Sequence, residues 1–214
     1  SCASNGTDYC DLTGEVPFIR ESIDSYDALA KSNNCRIVHS CGFDSVPSDI
    51  GVLVLQQEAE NKFGKPFDEI KFYARAMKGG LSGGTIESMI NISSYISSKP
   101  ELSDLLGNPY ALNPDGQLLD GPDGSSLRSI KWDEKMNLWI CPFIMSGINT
   151  RVVRRSNALM GYYYGKDFKY SEVYSFNKGF FGFMNSVSML FGMASLKVAI
   201  SFRLLLWLLR KLFL

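Results

Sequence analysis

The stretch from Pro17 to Ala59 constrains the fold more than any other part of the chain. Pro17 suits the first turn of a helix, where its missing N–H is one the helix leaves unpaired anyway. From there Phe18, Ile19, Ile23, Tyr26 and Leu29 recur at helical spacing to about Lys31, and Asn33-Asn34 ends the run. Arg36-Ile37-Val38-His39-Ser40-Cys41 reads as a buried strand. Gly42 to Asp49 is a loop, and a second helix starts near Ser48 and turns Val52, Leu53, Leu55 and Ala59 towards a core. Ahead of this block, Tyr9 to Glu15 is extended, with Tyr9, Asp11, Thr13 and Glu15 alternating against Cys10 and Leu12. Strands joined by a helix run parallel, because a tight hairpin cannot join parallel neighbours. The fold class is therefore α/β.

A second region opens at Phe63-Gly64-Lys65-Pro66. Ile70 to Ala76 alternates as a strand does. Lys78 to Gly84 is a glycine-rich turn, and Thr85 is placed to cap a helix from Ile86 to about Ser98. Residues 107–127 carry Asp-Gly at Asp115, Asp120 and Asp123 and form a surface excursion. Ile130 to Trp132 and Leu138 to Ile140 are the arms of a hairpin around Asp133–Asn137. Thr150 caps a helix to about Met160, and Phe168 to Phe176 is a further strand. Residues 1–60, 61–178 and 179–214 are read as three parts: α/β, α+β, and an apolar C-terminal helical segment.

Charge separates the last part from the rest. The 214 residues are neutral overall, yet residues 1–60 carry a balance of −7, residues 61–172 of +2, and residues 173–214 of +5 with no acid. Gly179 to Leu196 is uncharged, and Lys197, Arg203, Arg210 and Lys211 follow among apolar residues. On a helix these cations share one stripe beside a wide apolar face, the pattern of a helix lying in an anionic lipid surface, with Trp207 at headgroup level. A spanning helix and a helix buried in protein with snorkelling cations are the alternatives. The chain as a whole is not basic, so nucleic acid is not an expected partner. Five cysteines without CxxC spacing predict reduced thiols in a cytosol-facing protein, with no metal site. Ser1 to Gly6 resembles neither a signal peptide nor a translation start, so a fragment or processed product is expected.

The chain contains no GxGxxG, HExxH or phosphate-binding P-loop motif. Four segments in order are more informative: Gly6-Thr7-Asp8-Tyr9-Cys10-Asp11-Leu12-Thr13-Gly14-Glu15, Gly42-Phe43-Asp44-Ser45-Val46-Pro47-Ser48-Asp49-Ile50-Gly51, Ser82-Gly83-Gly84-Thr85, and Asn149-Thr150-Arg151 through Leu159. Together they resemble the saccharopine dehydrogenase-like oxidoreductases, the family that includes the trans-acting enoyl reductases. That resemblance implies a Rossmann domain whose glycine-rich loop and first strands lie upstream of Ser1. Residues 1–60 are then its C-terminal part and 61–178 a substrate or dimerisation domain, which allows a homodimer. It implies NAD(P) as cofactor and a lipid-type substrate, while the apolar, basic tail places the protein on a lipid droplet, the endoplasmic reticulum or a mitochondrion, and the cysteines on its cytosol-facing side.

Each candidate residue carries a functional and a bland reading. His39, the one histidine, is either a proton donor at a strand's C-terminal end or a hydrogen-bonded core residue. By resemblance Tyr9, Asp11, Thr13, Gly42, Phe43 and Asp44 lie near the cofactor; on chemistry alone they are an ordinary loop and a helix-capping turn. Asp49 is either part of that pocket wall or a cap. Ser82, Gly83, Gly84 and Thr85 precede a helix N-terminus and offer N–H groups to an anion, or form a turn. Arg151, Arg154 and Arg155 share a helix face; Arg151 and its neighbours grip an anionic lipid carrier, or the three pair with the acidic front segment.

Overall fold

The computed structural model describes residues 1–76, 87–88, 90–92, 95, 102–114, 121–124 and 126–201. They gather into two units interleaved along the chain. The first comprises residues 1–70, 104–125 and 147–170; the second comprises 71–103, 126–146 and 171–214. The fold is α/β with an apolar C-terminal helix.

In the first unit β1 (Tyr9–Cys10) lies parallel to β2 (Ile37–Val38), with Tyr9 opposite Ile37 and Cys10 opposite Val38. The crossover is α1 (Val16–Ser32), which has Pro17 in its first turn. Thr13 Oγ accepts the Glu15 N–H at 3.2 Å and closes the approach to this helix. The Asn33 N–H caps the Leu29 carbonyl, and Asn34 turns the chain out at φ +50°, a left-handed conformation that asparagine tolerates well. β2 is not the buried six-residue strand the sequence predicts. Its ladder is two residues long and Val38 is 48% exposed, because β1 is its one strand neighbour among the described residues.

Helix α2 (Val46–Phe63) begins two residues before the expected Ser48 and stops at Gly64, whose φ of +74° lets its N–H reach the Glu60 carbonyl. Fully buried Gln56 then holds the turn from both sides. Its Oε1 accepts the Phe67 N–H at 2.7 Å, and its Nε2 donates to the Phe67 carbonyl at 3.0 Å. Short α3 spans Leu102–Gly107, and α4 spans Ser146–Leu159. Thr150 is thus not the cap of α4 but a buried residue of its second turn. The extra turn contains Gly147 and Asn149, poor helix formers by themselves. Tertiary hydrogen bonds offset that: Asn149 Oδ1 accepts from Ser45 Oγ at 2.9 Å, and its Nδ2 donates to Ser48 Oγ at 3.2 Å. The core beside these helices is Val52, Ile70, Val153, Tyr164, Phe168 and Tyr170.

Four arginines hold residues 106–113. Arg20 of α1 donates to the Asn113 carbonyl at 2.9 Å and reaches that of Ala111 at 3.4 Å. Arg151 donates to Leu106 at 2.5 Å and to Asn108 at 3.0 Å, and it also meets the carbonyl of Gly147. Arg155 donates to Leu112 at 2.6 Å. Buried Arg154 forms an ion pair with Asp123 at 2.7 Å, donates to the carbonyls of Pro109 and Tyr170, and lies over the Tyr110 ring at 5.2 Å. Asp123 in turn accepts the Tyr170 N–H.

The second unit is a four-stranded sheet in the order β3 (Glu69–Ala74), β6 (Lys169–Phe176), β5 (Leu138–Pro142), β4 (Lys131–Asp133). β4 and β5 form the expected hairpin, with Trp132 opposite Trp139, and Asn137 supplies a φ of +58° in its turn. Asp133 fixes that turn: Oδ1 accepts the Met136 N–H at 3.2 Å and Oδ2 accepts from Tyr73 at 2.7 Å. Residues 87–88, 90–92 and 95 are helical, inside the expected span. Helix α5 (Phe180–Ser201) packs on β5, with Phe183 against Trp139 at 5.0 Å. Its Phe180–Ile200 stretch has mean hydropathy 1.4 and is long and apolar enough to cross a membrane, yet only 11% of it is buried. Arg203, Trp207, Arg210 and Lys211 lie outside the described residues.

Replacing one partner of a buried, hydrogen-bonded ion pair leaves the other charge uncompensated, at about 3–5 kcal/mol. Arg154→Ala is therefore expected to lower the unfolding free energy by about that amount in urea denaturation, while Arg36→Ala, at an exposed pair with Asp8, leaves it nearly unchanged.

Candidate functional site

β1 and β2 run parallel, so the residues that follow them emerge on one side of the unit, the side where α/β sheets bind ligands. Asp11 follows β1 and His39 follows β2. Asp11 Oδ2 lies 2.7 Å from His39 Nδ1, and His39 Nε2 lies 2.8 Å from Ser22 Oγ on α1. The other carboxylate oxygen of Asp11 accepts the N–H groups of Thr13 at 3.0 Å and Ser40 at 3.4 Å. Burial pushes the Asp11 carboxyl up. The hydrogen bonds from His39, the Thr13 N–H and Tyr9 outweigh it and hold the group below the ordinary carboxylate range. Asp11 is therefore ionised at neutral pH and can only accept. That assigns the imidazole proton to Nδ1 and leaves the Nε2 lone pair to accept from the Ser22 hydroxyl.

The ring is clamped as well as bonded. Tyr9 and Phe18 meet it edge-on, with centroids 6.0 and 5.5 Å away. The His39 side chain is 9% exposed and that of Asp11 16%. Ser40, which follows His39, is a buried non-glycine residue at φ +60°, and its Oγ donates to the Thr13 carbonyl at 2.8 Å. An outlier of this kind next to a polar cluster is a common mark of a functional site. Ser22 and His39 line a cavity of about 340 Å³ that also takes in Ile23, Asp49, Arg155 and Ser156.

Of the residues expected near a cofactor, Tyr9, Asp11 and Thr13 are brought together with His39. Gly42, Phe43 and Asp44 follow in the turn that starts α2, against Leu12 but outside that hydrogen-bonded cluster. The Gly42 carbonyl accepts the N–H groups of Ser45 and Val46, and a Cβ at Gly42 would come within 3.3 Å of the Leu12 side chain. Phe43 is 88% exposed, and Asp44 is exposed beside it. Arg151 engages its guanidinium on backbone carbonyls, and burial beside Arg154 pulls its pKa down to about 10. Arg154 finds its carboxylate in Asp123, not in the acidic front segment. Ser82, Gly83, Gly84 and Thr85 lie outside the described residues.

Sequence reasoning missed Ser22, Ser40 and Phe18 as parts of this cluster. The available signal was helical spacing: Phe18, Ser22 and Tyr26 are four residues apart and share one stripe of α1. All five cysteines are free thiols. Burial, with Cys10 and Asp11 nearby, raises the Cys41 thiol, and burial pushes that of Cys141 up to about 11, so neither is a thiolate at neutral pH.

No protein-family model and no solved structure matches the chain. Curated relatives do. A Mycobacterium tuberculosis protein provisionally named a trans-acting enoyl reductase is 45% identical over 180 residues, covering 82% of this chain and 43% of the relative. Over most of its own length the chain is similar to proteins named trans-acting enoyl reductases. The Mycobacterium ulcerans enzyme of that name is 39% identical over 186 residues and the Mycobacterium leprae one 38% over 188, each with 44% of its length covered. The chain thus spans less than half the length of these enoyl reductases.

Asp49 shows one cost of the site. Its Oδ2 accepts from Ser156 Oγ at 2.9 Å, but its buried Oδ1 has no partner among the described residues. Burial raises its pKa, and the Ser156 hydrogen bond offsets this only in part. A carboxyl raised in the folded state contributes its full stability below the unfolded pKa of about 3.9 and loses it as pH rises through the folded value. Asp49→Asn is therefore expected to raise Tm at pH 7, with a gain that shrinks on acidification and is absent below about pH 4; thermal melts across this range check it.

Proposed function

We propose that this chain is the rear part of an NAD(P)-dependent reductase of the trans-acting enoyl reductase type, related to the saccharopine dehydrogenase-like oxidoreductases, and that it acts on a lipid-type substrate at a membrane or lipid-droplet surface. The observation that carries the reading is the 45% identity to a reductase relative over 82% of the chain. The parallel β1–β2 pair agrees with it, since Asp11, Thr13 and His39 gather where α/β sheets bind ligands.

The residues present fit one wall of a dinucleotide crevice. Thr13, Gly42, Phe43 and Asp44 would line its nicotinamide end, where exposed Phe43 and Leu12 offer apolar surface. The chain's own sequence contains no GxGxxG fingerprint. The cofactor, when bound, supplies the hydride. The protein's part is orientation and the proton: His39 shares a proton with Ser22, and ionised Asp11 stabilises the imidazolium formed when Nε2 takes one up. Fluorescence titration of the chain with NADPH and then NADH tests this. Saturable binding at micromolar cofactor, weakened several-fold by Phe43→Ala, is expected; no binding up to millimolar cofactor removes the cofactor site from this chain.

A second reading is favoured by α5, whose apolar stretch is 11% buried and exposes Phe180, Phe181 and Phe191. Here the chain is a non-catalytic scaffold seated on a membrane or lipid droplet through residues 179–214. Flotation with phosphatidylserine-containing vesicles is expected for the whole chain and is lost when 179–214 is removed. Flotation without cofactor binding selects the scaffold, and both together select the membrane-bound reductase.

A further inference from the structure

Asp11, His39 and Ser22 stand in the order of a carboxylate–imidazole–hydroxyl triad. The carboxylate–imidazole distance is 2.7 Å and the imidazole–hydroxyl distance 2.8 Å. Such a constellation is recognised by geometry and roles, not by sequence order or a surrounding motif. Each role is filled. Asp11 is ionised and fixed by the N–H groups of Thr13 and Ser40, so it orients the ring and balances a positive imidazole. His39 is shielded, with Nδ1 committed to Asp11 and Nε2 directed at the Ser22 hydroxyl. Ser22 and His39 both line the cavity of about 340 Å³, where Ile19, Ile23 and Tyr26 give apolar lining and Asp27, Lys31 and Arg155 charged groups.

We propose that Ser22 is an activated nucleophile that accepts acyl groups from esters or thioesters, a hydrolytic or transfer activity separate from any reduction. Ser22 Oγ attacks the acyl carbonyl carbon and forms the C–O bond, while its proton passes to His39 Nε2. The bond from the acyl carbon to the leaving oxygen or sulfur breaks, and the leaving group takes the proton from Nε2. Water, activated by the same nitrogen, then cleaves the Ser22 ester and restores the hydroxyl. The apolar lining selects acyl chains, and the cavity volume favours short to medium ones. This activity needs neither a dinucleotide nor the reductase reading, so a failure of one leaves the other standing.

The test is covalent labelling of the whole chain with a fluorophosphonate, read by intact mass and by peptide mapping. One equivalent on Ser22 is expected in the folded protein, with none after heat denaturation and none in Ser22→Ala. His39→Gln and Asp11→Asn are expected to slow labelling by about 10²-fold or more, with circular dichroism confirming that each variant is folded. p-Nitrophenyl butyrate should release p-nitrophenol with the same dependence on the three residues. Absence of an adduct on Ser22 in the folded wild-type chain overturns the proposal. So does an adduct that forms at an unchanged rate in folded His39→Gln, because the hydroxyl would then owe nothing to the imidazole.

Discussion

The first unit depends on guanidinium groups holding backbone carbonyls. Residues 106–113 form no sheet ladder, so their carbonyls need donors if they are to be buried. Arg20, Arg151, Arg154 and Arg155 supply them, and each presents several N–H groups in a fixed plane. Leu112 and Asn113 are 1% exposed as a result. The same contacts fix α4 against this segment. α4 carries Asn149, which holds Ser45 and Ser48 at the start of α2, and Ser156, which holds Asp49. The clamp therefore reaches, one hydrogen bond at a time, to the wall of the cavity that Ser22 and His39 share.

Asp11 plays the corresponding part at the sheet end. It sits one residue past a two-residue ladder, a poor anchor by itself. Its backbone prolongs the pairing through its N–H to Val38 and its carbonyl to Cys41, while its side chain receives His39, Thr13 and Ser40. One residue thus joins strand pairing to the orientation of the one imidazole in the protein. The cost is a partly buried carboxylate, and the gain is a histidine with a defined tautomer.

Much of the local structure was legible in the sequence because it follows from short-range rules. Pro17, Asn33-Asn34 and Gly64 bound their helices for steric reasons, and the Trp132–Trp139 hairpin follows from two apolar arms around a polar turn. The reading of Thr150 as a cap failed because propensity cannot count the hydrogen bonds that Ser45 and Ser48 give Asn149 from a hundred residues away. The length and burial of β2 were overread for a similar reason: a run centred on Ile37 and Val38 looks like a strand, but strand extent depends on neighbours. The three arginines on one face of α4 were correctly grouped. Their partners are carbonyls and Asp123, which no charge count along the chain reveals.

The sequence by itself determined the α/β class, the helix limits set by proline, asparagine and glycine, the hairpin, the uncharged C-terminal stretch, and the relatives the chain resembles. These are properties of local sterics, periodicity and composition. Only the tertiary structure decided that His39 stands between Asp11 and Ser22, that Ser40 takes a left-handed turn beside it, and that the arginines hold carbonyls instead of ligands. Those facts rest on distances between residues 17 to about 100 positions apart. Such distances come from packing elements around a shared core, which no window along the sequence contains.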